Sequence, residues 1–333
     1  MKRERGLLAL LIISAIAIGG GGIYLSGLEL QSRSTLTIST TTSLYDTGLL
    51  DELKNRYEAE YPSVRVAFIP AGTGIAIEHA KNGDADMILV HSPSQEYSFM
   101  NDTYGVNRKV FAYNFFTIVG PADDPATTQQ KDASTALQMI YSYGHAHNTT
   151  LWVSRDDNSG TNSKEKSLWS AAGYDYDIIK EEPWFISSGS GMGATLNIAE
   201  NQNLYTLADI GTYLSYKSQG LIQLEQFVEE DEALINIYSA IAVNQTTVPA
   251  TNFDMAMAFI QWLLSDSIQT FIDDFGQSEF GLSLFQSAVA VLEGQSPLEI
   301  YTWIRTYGFF DQGGTLYECP PLWRDAEYGL YPQ

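Results

Sequence analysis

The sequence predicts an α/β protein of two lobes, with parallel-type sheets and a ligand cleft between the lobes. Three observations support this prediction. Strand patterns alternate with helix patterns along the chain, polar glycine-rich loops follow several of the strands, and 333 residues are more than one compact core usually needs. The hydrophobic fraction of 44% is ordinary for a folded protein, so a sizeable core is possible.

The N-terminal segment, residues 1–30, is interpreted as a secretory signal or a membrane anchor. Three of the first five residues are basic, and Gly6–Leu28 carries no charge. A helix of that length spans about the hydrocarbon core of a bilayer, and a basic flank stays in the cytoplasm. We therefore expect an extracytoplasmic protein at the cell surface. The only cysteine is Cys319, so no lipid-attachment cysteine follows the apolar run, which favours an uncleaved anchor.

The first lobe begins with alternating strands and helices. Leu36–Thr40 has the β-branched alternation of a strand, and Leu49–Tyr61 has helical spacing of apolar residues, with a polar loop at residues 41–48 between them. The same pattern continues with a strand at Val64–Ile69, a turn at Gly72–Gly74, a helix at Ile75–Asn82 and a strand at Met87–Val90. This order predicts a parallel sheet with right-handed crossovers, whose ligand loops follow the carboxyl ends of the strands.

The second lobe is predicted to begin after the strand Phe115–Val119, where Gly120 and Pro121 end it. Its elements are predicted at Ala133–Tyr143, Leu151–Ser154, Lys164–Ala172, Trp184–Ser187, Gly193–Gln202, Leu204–Thr206 and Ala208–Leu214. A second crossing near Ile235–Val243 precedes helices at Asn252–Ser265 and Ser267–Phe275 that return to the first lobe. Two crossings between α/β lobes are typical of the type II periplasmic-binding-protein fold.

We therefore assign residues 36–116 and 240–285 to lobe 1, residues 117–239 to lobe 2, and residues 286–333 to a C-terminal extension. The aromatic residues of the extension suggest that it packs against a lobe or a partner.

Four loops rich in glycine and hydroxyl side chains each follow a predicted strand and precede a predicted helix. They are Thr40–Ser43, Gly72–Gly74, Ser154–Asn162 and Ser188–Ala194. Backbone N–H groups at a helix start favour an anion, hydroxyls add donors, and glycine permits a close approach. Arg155 adds a permanent charge and a fork of donors. Singly, each loop could be an ordinary helix cap, and Arg155 could form a surface pair with Asp156.

Together the four loops predict an oxyanion-binding site and no catalytic residues. Its predicted ligands are Thr41, Thr42, Ser43, Thr73, Arg155, Ser159, Gly160, Thr161, Gly191 and Met192. Asp157 is interpreted as the group that holds Arg155 in place, because a carboxylate touching the anion would repel it.

An ordered set of short motifs runs through residues 36–285. It comprises Thr40–Ser43 with Asp46–Leu50, Gly72–Gly74, Asp84–Asp86 with His91, Ser154–Arg155 with Asp157 and Ser159–Thr161, Gly191–Leu196, and Phe280–Leu282. This set resembles the tungstate-binding component of tungstate ABC transporters, in the type II periplasmic-binding-protein superfamily. The resemblance implies tungstate as the ligand, the permease and ATPase of an importer as partners, and no cofactor. Asp156 stands where the family usually has glycine, and Asn162 where it has histidine.

The chemistry of the loops bears on which oxyanion they bind. Phosphate still carries a proton at neutral pH, so a selective phosphate site usually offers an acceptor. The first two loops offer only hydroxyl and N–H donors, which favours a fully deprotonated dianion. Tungstate and molybdate both fit, and only the resemblance separates them. Phosphate remains the alternative.

Charge and motif content argue against other classes of protein. The net charge is −22, and −24 without residues 1–5, which hold three basic residues and one acidic residue; nucleic acid is therefore not expected as a partner. The spacing of Gly189, Gly191 and Ala194 is a weak dinucleotide signal. No cysteine or carboxylate pattern accompanies His145 and His147, so no metal site is expected. A hydrolase or an adhesion protein remains a less favoured alternative.

Overall fold

The computed structural model describes residues 33–228, 231–325 and 328–331. The signal or anchor that the sequence predicts at residues 1–30 lies outside these ranges. Within them, no helix has both the length and the apolar character needed to cross a membrane.

The first third of the chain alternates strands and helices, as predicted. Its elements are β1 (Ser34–Thr41), α1 (Thr42–Asp46), α2 (Leu49–Glu60), β2 (Val64–Ala71), α3 (Thr73–Asn82), β3 (Met87–Val90), α4 (Pro93–Asn101) and β4 (Gly105–Gly120). Helix α1 occupies part of the predicted loop at residues 41–48, because the Thr41 hydroxyl accepts a hydrogen bond from the Leu44 N–H at 3.3 Å and caps it. No helix was predicted at α4, and no strand was predicted over the first ten residues of β4.

The middle of the chain forms the second set of units. Its elements are α5 (Ala133–His147), β5 (Trp152–Ser154), α6 (Gly160–Ala171), α7 (Tyr176–Ile179), β6 (Phe185–Ser187), α8 (Met192–Gln202), β7 (Thr206–Asp209), α9 (Ile210–Ser218), β8 (Glu225–Val228) and β9 (Ile235–Val243). The predicted helices and strands are all present here. Their ends differ by a few residues, the usual error when boundaries rest on local pattern alone.

The remaining described chain is mostly helical, with a small hairpin followed by a 3-10 turn at Pro321–Trp323. Its elements are α10 (Phe253–Leu263), α11 (Asp266–Asp274), α12 (Gln277–Phe280), β10 (Gln286–Ser287), α13 (Ala288–Gly294), α14 (Leu298–Gly308), β11 (Phe310–Gln312) and β12 (Thr315–Tyr317).

Strand β1 lies between β2 and β3 and runs parallel to both. Its register with β2 extends from Ser34 opposite Val64 to Thr41 opposite Ala71. The two strands therefore end side by side, and the loops that follow them emerge at the same edge of the sheet. This confirms the predicted parallel arrangement and places the starts of α1 and α3 next to each other.

The rest of the main sheet is antiparallel. Strand β9 pairs with β3 and with most of β4, from Gly105 opposite Val243 to Phe115 opposite Ile235. The final residues of β4 pair with β7 and β8. The sheets are thus parallel at β1–β3 and at β5–β6, and mixed overall. The antiparallel pair arises because the chain crosses once in each direction, on β4 and on β9.

Separate hydrophobic cores lie on the two sides of this crossing. One surrounds β1 and α10 and includes Leu36, Phe111 and Phe259. Another surrounds β5 and α8 and includes Val153 and Leu196. We call the parts built on these cores the first and second lobes. The residue boundaries that the sequence assigned to the lobes stay a prediction.

The C-terminal extension packs against β4 of the same chain. The Glu318 carboxylate accepts a hydrogen bond from the Val110 N–H at 2.7 Å and pairs with the Lys109 ammonium at 2.6 Å. The Trp303 ring meets the Phe115 ring edge-on at 6.2 Å between centroids. The extension thereby packs on the stretch of β4 that also pairs with β9.

A fully buried ion pair connects α4 to β4. Arg108 Nε lies 2.7 Å from Glu96 Oε2, and both side chains are completely inaccessible to solvent. Glu96 Oε1 also accepts a hydrogen bond from the Ser92 N–H at 2.7 Å, and Arg108 Nη1 donates to the Glu318 carbonyl at 2.7 Å. Each member of the ion pair therefore forms a further hydrogen bond with the backbone.

Replacing Glu96 by alanine should lower the free energy of unfolding by about 3–5 kcal/mol, because Arg108 would keep a buried charge without its carboxylate. Urea denaturation measures this change. The exposed pair between Asp177 and Lys180, at 2.7 Å, provides the control, and Asp177→Asn should leave the urea midpoint almost unchanged. Equal effects of the two substitutions would contradict the structural role given to the Glu96–Arg108 pair.

Candidate functional site

Two of the predicted loops begin α1 and α3, at the carboxyl ends of β1 and β2. Thr41 and Ser43 are buried, and Thr41 is the cap of α1. The hydroxyl oxygens of Thr42 and Thr73 are both buried, and neither has a hydrogen-bond partner within the described part of the chain. Gly72 is the N-cap of α3 and supplies no side-chain acceptor to the first amides of that helix. This edge of the first lobe therefore presents donors that the protein itself does not use.

The other two predicted loops begin α6 and α8. Ser159 caps α6 by accepting a hydrogen bond from the Asn162 N–H at 3.2 Å, and Thr161 is buried one position beyond Gly160. Gly191 is the N-cap of α8 and, like Gly72, supplies no side-chain acceptor; Met192, the first residue of the helix, is buried. The start of α8 therefore also keeps its first amides free of a side-chain cap.

The structure brings these loops together from both lobes. A β-carbon placed on Gly72 would lie 3.7 Å from the Asp157 carbonyl oxygen and 3.9 Å from the Ser159 Cα. One placed on Gly191 would lie 3.8 Å from the Thr42 hydroxyl oxygen. Thus the α3 loop faces the α6 loop, and the α1 loop faces the α8 loop. The ten residues predicted from the sequence all lie in these four facing loops.

Arg155 is the charged group of the site, with only 3% of its side chain exposed. Its Nη2 and Nε lie 2.6 and 3.1 Å from Asp157 Oδ2, and its Nη1 lies 3.4 Å from the Thr161 hydroxyl oxygen. The other oxygen of Asp157 accepts a hydrogen bond from the Ser159 N–H at 3.1 Å. Asp157 therefore fixes one edge of the guanidinium to the start of α6.

Asp156 does not pair with Arg155. Its carboxylate accepts hydrogen bonds from the Ser187 hydroxyl at 2.9 Å and from the Tyr176 hydroxyl at 3.3 Å. Its φ of +42° lies in the left-handed region, which glycine adopts freely and aspartate tolerates. This explains how aspartate replaces the glycine of the family pattern without placing a second negative charge on the guanidinium.

Asn162, the second departure from the family pattern, is also turned into the protein. Its Nδ2 donates to the Tyr176 hydroxyl at 3.1 Å, and its Oδ1 accepts a hydrogen bond from the Asn158 N–H at 3.3 Å. Asn162 therefore connects the α6 loop to Tyr176 on α7.

His91 lies against the site, although no role there was predicted for it from the sequence. It is buried between the rings of Tyr238 and Phe116, and its Nδ1 lies 2.8 Å from Asn236 Oδ1. Because an amide oxygen only accepts, Nδ1 carries the proton and Nε2 is an acceptor, 3.4 Å from the Ser43 hydroxyl. Burial lowers the pKa of His91 to about 4, so the ring is neutral at physiological pH.

Asp209 is a second buried group near Arg155 that sequence reasoning missed. Its Oδ1 caps α9 by accepting a hydrogen bond from the Thr212 N–H at 2.9 Å, and its Oδ2 is buried without a partner in the described ranges. Burial raises the pKa of Asp209, and the positive charge of Arg155 opposes that rise. Only its position before a helix, typical of a cap, could have drawn attention to it.

The site thus consists mainly of hydrogen-bond donors. It offers two unused hydroxyls, two helix starts without side-chain caps, and a buried guanidinium. Across the described ranges, no group of three or more histidine, cysteine, aspartate or glutamate side chains could hold a metal ion. The arrangement fits a small anion with several acceptor oxygens.

Comparison with known proteins gives three consistent matches. A family model described as a PBP superfamily domain matches residues 29–267. The tungstate-binding protein TupA of Peptoclostridium acidaminophilum is 35% identical over 292 residues, which are 86% of this chain and 98% of that protein. A putative ABC transporter anion-binding protein of Haloferax volcanii is 42% identical over 250 residues, 73% of this chain and 70% of that protein.

A solved structure agrees with these matches. The tungstate-binding protein TupA from Desulfovibrio alaskensis G20 is 36% identical, with a TM-score of 0.64 over 76% of this chain and 98% of that chain. These matches confirm the family resemblance and the two-lobed type II fold that the sequence predicted. The chain belongs to the PBP superfamily and, within it, to the family of tungstate-binding proteins of ABC transporters.

Proposed function

We propose that this protein binds tungstate outside the cytoplasm and delivers it to the permease and ATPase of an ABC importer. The observation that carries the proposal is that the unpartnered Thr42 and Thr73 hydroxyls and the buried Arg155 guanidinium all belong to loops that face one another across the two lobes. The relatives that are named for tungstate support the choice of ligand. The protein then acts by binding and releasing its ligand, without catalysis, and residues 1–30 hold it at the membrane.

The unpartnered hydroxyls indicate what the ligand must supply. A buried polar group without a hydrogen bond costs about 1–3 kcal/mol, so two such hydroxyls in the neighbouring α1 and α3 loops destabilise the empty protein. An anion between the loops would accept hydrogen bonds from both. Tungstate and molybdate have only acceptor oxygens, and the donors of this site need acceptors. We therefore propose Thr41, Thr42, Ser43, Thr73, Arg155, Ser159, Gly160, Thr161, Gly191 and Met192 as the residues around the anion.

Phosphate is the second candidate ligand, and one observation favours it. Asp209 Oδ2 is a buried carboxylate oxygen without a hydrogen-bond partner among the described residues, and it could accept a hydrogen bond from the protonated oxygen that phosphate keeps at neutral pH. The same oxygen would repel a fully deprotonated dianion that touched it. Asp209 therefore makes phosphate the rival that a binding experiment must include.

Titration calorimetry on the full chain with tungstate, molybdate, sulfate and phosphate decides between these ligands. We expect tungstate and molybdate to bind at least tenfold more tightly than phosphate. Asp209→Asn removes the charge but keeps an acceptor oxygen, so it should strengthen or leave unchanged the binding of tungstate. Tighter binding of phosphate than of tungstate, weakened by Asp209→Asn, would overturn the proposed ligand.

Replacing Arg155 by alanine should weaken tungstate binding by about tenfold to hundredfold. A charge-assisted hydrogen bond contributes about 1.5–3 kcal/mol, and each 1.4 kcal/mol corresponds to about tenfold in the dissociation constant. Arg155→Lys should recover part of the loss, because the charge returns without the fork. Asp157→Asn should have a mild effect, through a looser guanidinium.

The matched control is the exposed Arg56 on α2, whose guanidinium lies over the Phe271 ring of α11. Arg56→Ala should bind tungstate as the wild type does. A change of less than about twofold for Arg155→Ala would exclude Arg155 as a ligand.

Valine substitutions at threonine separate binding from folding. Thr42→Val and Thr73→Val remove hydroxyls that have no partner, so the melting temperature of the empty protein should stay the same or rise, while tungstate affinity should fall about tenfold or more. Thr40→Val removes a hydroxyl that donates to the Leu89 carbonyl at 2.9 Å, so it should lower stability by about 1 kcal/mol instead. Calorimetry and thermal unfolding measure the two effects. A loss of stability without a loss of affinity at Thr42 and Thr73 would remove both from the site.

A further inference from the structure

A cavity of about 300 Å³ lies beside the oxyanion loops, between α6, β9 and α14. We call it the lateral cavity; its walls include His91, Phe116, Gly160, Lys164, Ile237 and Tyr307. Its volume is at the lower end of the range for sites that bind small molecules.

The lateral cavity is separate from the space between the four loops. A β-carbon on Gly160 would lie 2.9 Å from His91 Nε2, so the start of α6 and the His91 ring are in close contact. This contact forms a wall, with Ser43 on one side and the cavity on the other. None of the proposed oxyanion residues except Gly160 lines the cavity.

Lys164 gives the lateral cavity its charge. Its ammonium donates to the Ile235 carbonyl at 3.0 Å and lies 6.0 and 5.5 Å from the centres of the Phe116 and Tyr307 rings. No described carboxylate oxygen lies within 4.0 Å of it. One acceptor and two ring faces use only part of the hydrogen-bonding capacity of an ammonium, which has three donors.

The burial of this charge has a measurable consequence. Desolvation lowers the pKa of Lys164 to about 8, against the opposing effect of the nearby Asp231 charge. Asp231 is itself occupied, since its carboxylate accepts hydrogen bonds from the Ala133 and Ala233 N–H groups at 3.2 and 2.7 Å. An anion inside the cavity would restore the partner that Lys164 lacks.

The remaining walls limit what that anion can be. The start of α4 borders the cavity but offers few amides, because Pro93 has no N–H and the Ser92 N–H donates to Glu96. A single ammonium without a guanidinium fork or free helix start suits one negative charge better than two. Apolar surface from Phe116, Leu168 and Ile237 lies opposite, and suits a small hydrocarbon body.

From this geometry we infer that the lateral cavity is a second binding site, for a small carboxylate monoanion that pairs with Lys164. The carboxylate would take the unused donors of the ammonium, and its hydrocarbon part would pack on the apolar wall. The site includes Tyr307 of the C-terminal extension, so the extension contributes directly to it. This inference does not depend on which oxyanion the four loops bind.

Titration of the full chain with benzoate, in the absence of any oxyanion, tests the site. We expect saturable binding of one benzoate per chain, at least tenfold weaker in Lys164→Met, and no detectable binding of the neutral analogue benzamide. Lys166→Met is the matched control, because Lys166 lies on the same helix but over the Tyr176 ring and outside the lateral cavity. It should bind benzoate as the wild type does.

The pH dependence of the wild type provides a second readout that needs no variant. Lys164 is charged below its pKa, so benzoate affinity should be constant below about pH 8 and fall as the pH rises through that value. His91 stays neutral over this range, and burial moves the pKa of Tyr307 further above the range. Benzoate itself stays ionised from about pH 6 upward, which is the range in which the measurement is made.

Three outcomes would overturn the inference. They are equal benzoate affinity in the wild type and Lys164→Met, equal affinity for benzoate and benzamide, and the absence of any saturable benzoate binding to the wild type. A failure of tungstate binding would leave all three measurements interpretable, because none of them uses tungstate.

Discussion

The antiparallel pairing of β4 with β9 is the constraint on which the rest of the structure depends. Every residue of β9 is buried, and the pair extends over eleven positions of β4, from Gly105 to Phe115. Strand β9 also pairs with β3, and β4 continues into pairing with β7 and β8. Both lobes are therefore built outward from one ladder. The α1 and α3 loops follow β1 and β2, which join this pair through β3, whereas the α6 and α8 loops follow β5 and β6, which form a separate two-stranded sheet.

Local pattern was enough to predict much of this fold. Alternating β-branched residues and helical spacing identified β1, β2 and most later elements, and a short apolar run identified β3, whose four residues are all buried. The start of β4 was not predicted as a strand because it contains Arg108 and Lys109, residue types that are usually exposed. Their charges are matched by Glu96 and Glu318, whose positions only the folded structure supplies. A strand with neutralised charges cannot be distinguished from a loop in the sequence.

The same limit applies to the site. Arg155 and the threonines of the proposed site could be located in its loops, because loops that start helices are visible in the sequence and helix starts favour anions. His91 and Asp209 could not, because their roles depend on Asn236 and Thr212, and on the proximity of Arg155. The large negative charge of the chain also did not indicate the charge of the ligand, because exposed carboxylates are screened while the proposed site consists mainly of buried donors. Local contacts, and not net charge, decide what such a site attracts.

The glycine caps of α3 and α8 imply a compromise between stability and function. Gly72 has φ −74° and Gly191 has φ −64°, an extended backbone that any residue adopts. Serine at either position would cap the helix and add a few tenths of a kcal/mol of stability. Its hydroxyl would also occupy the amides that an anion needs, within 4 Å of the opposite loop. A search for thermostable variants would therefore select against ligand affinity at these two positions.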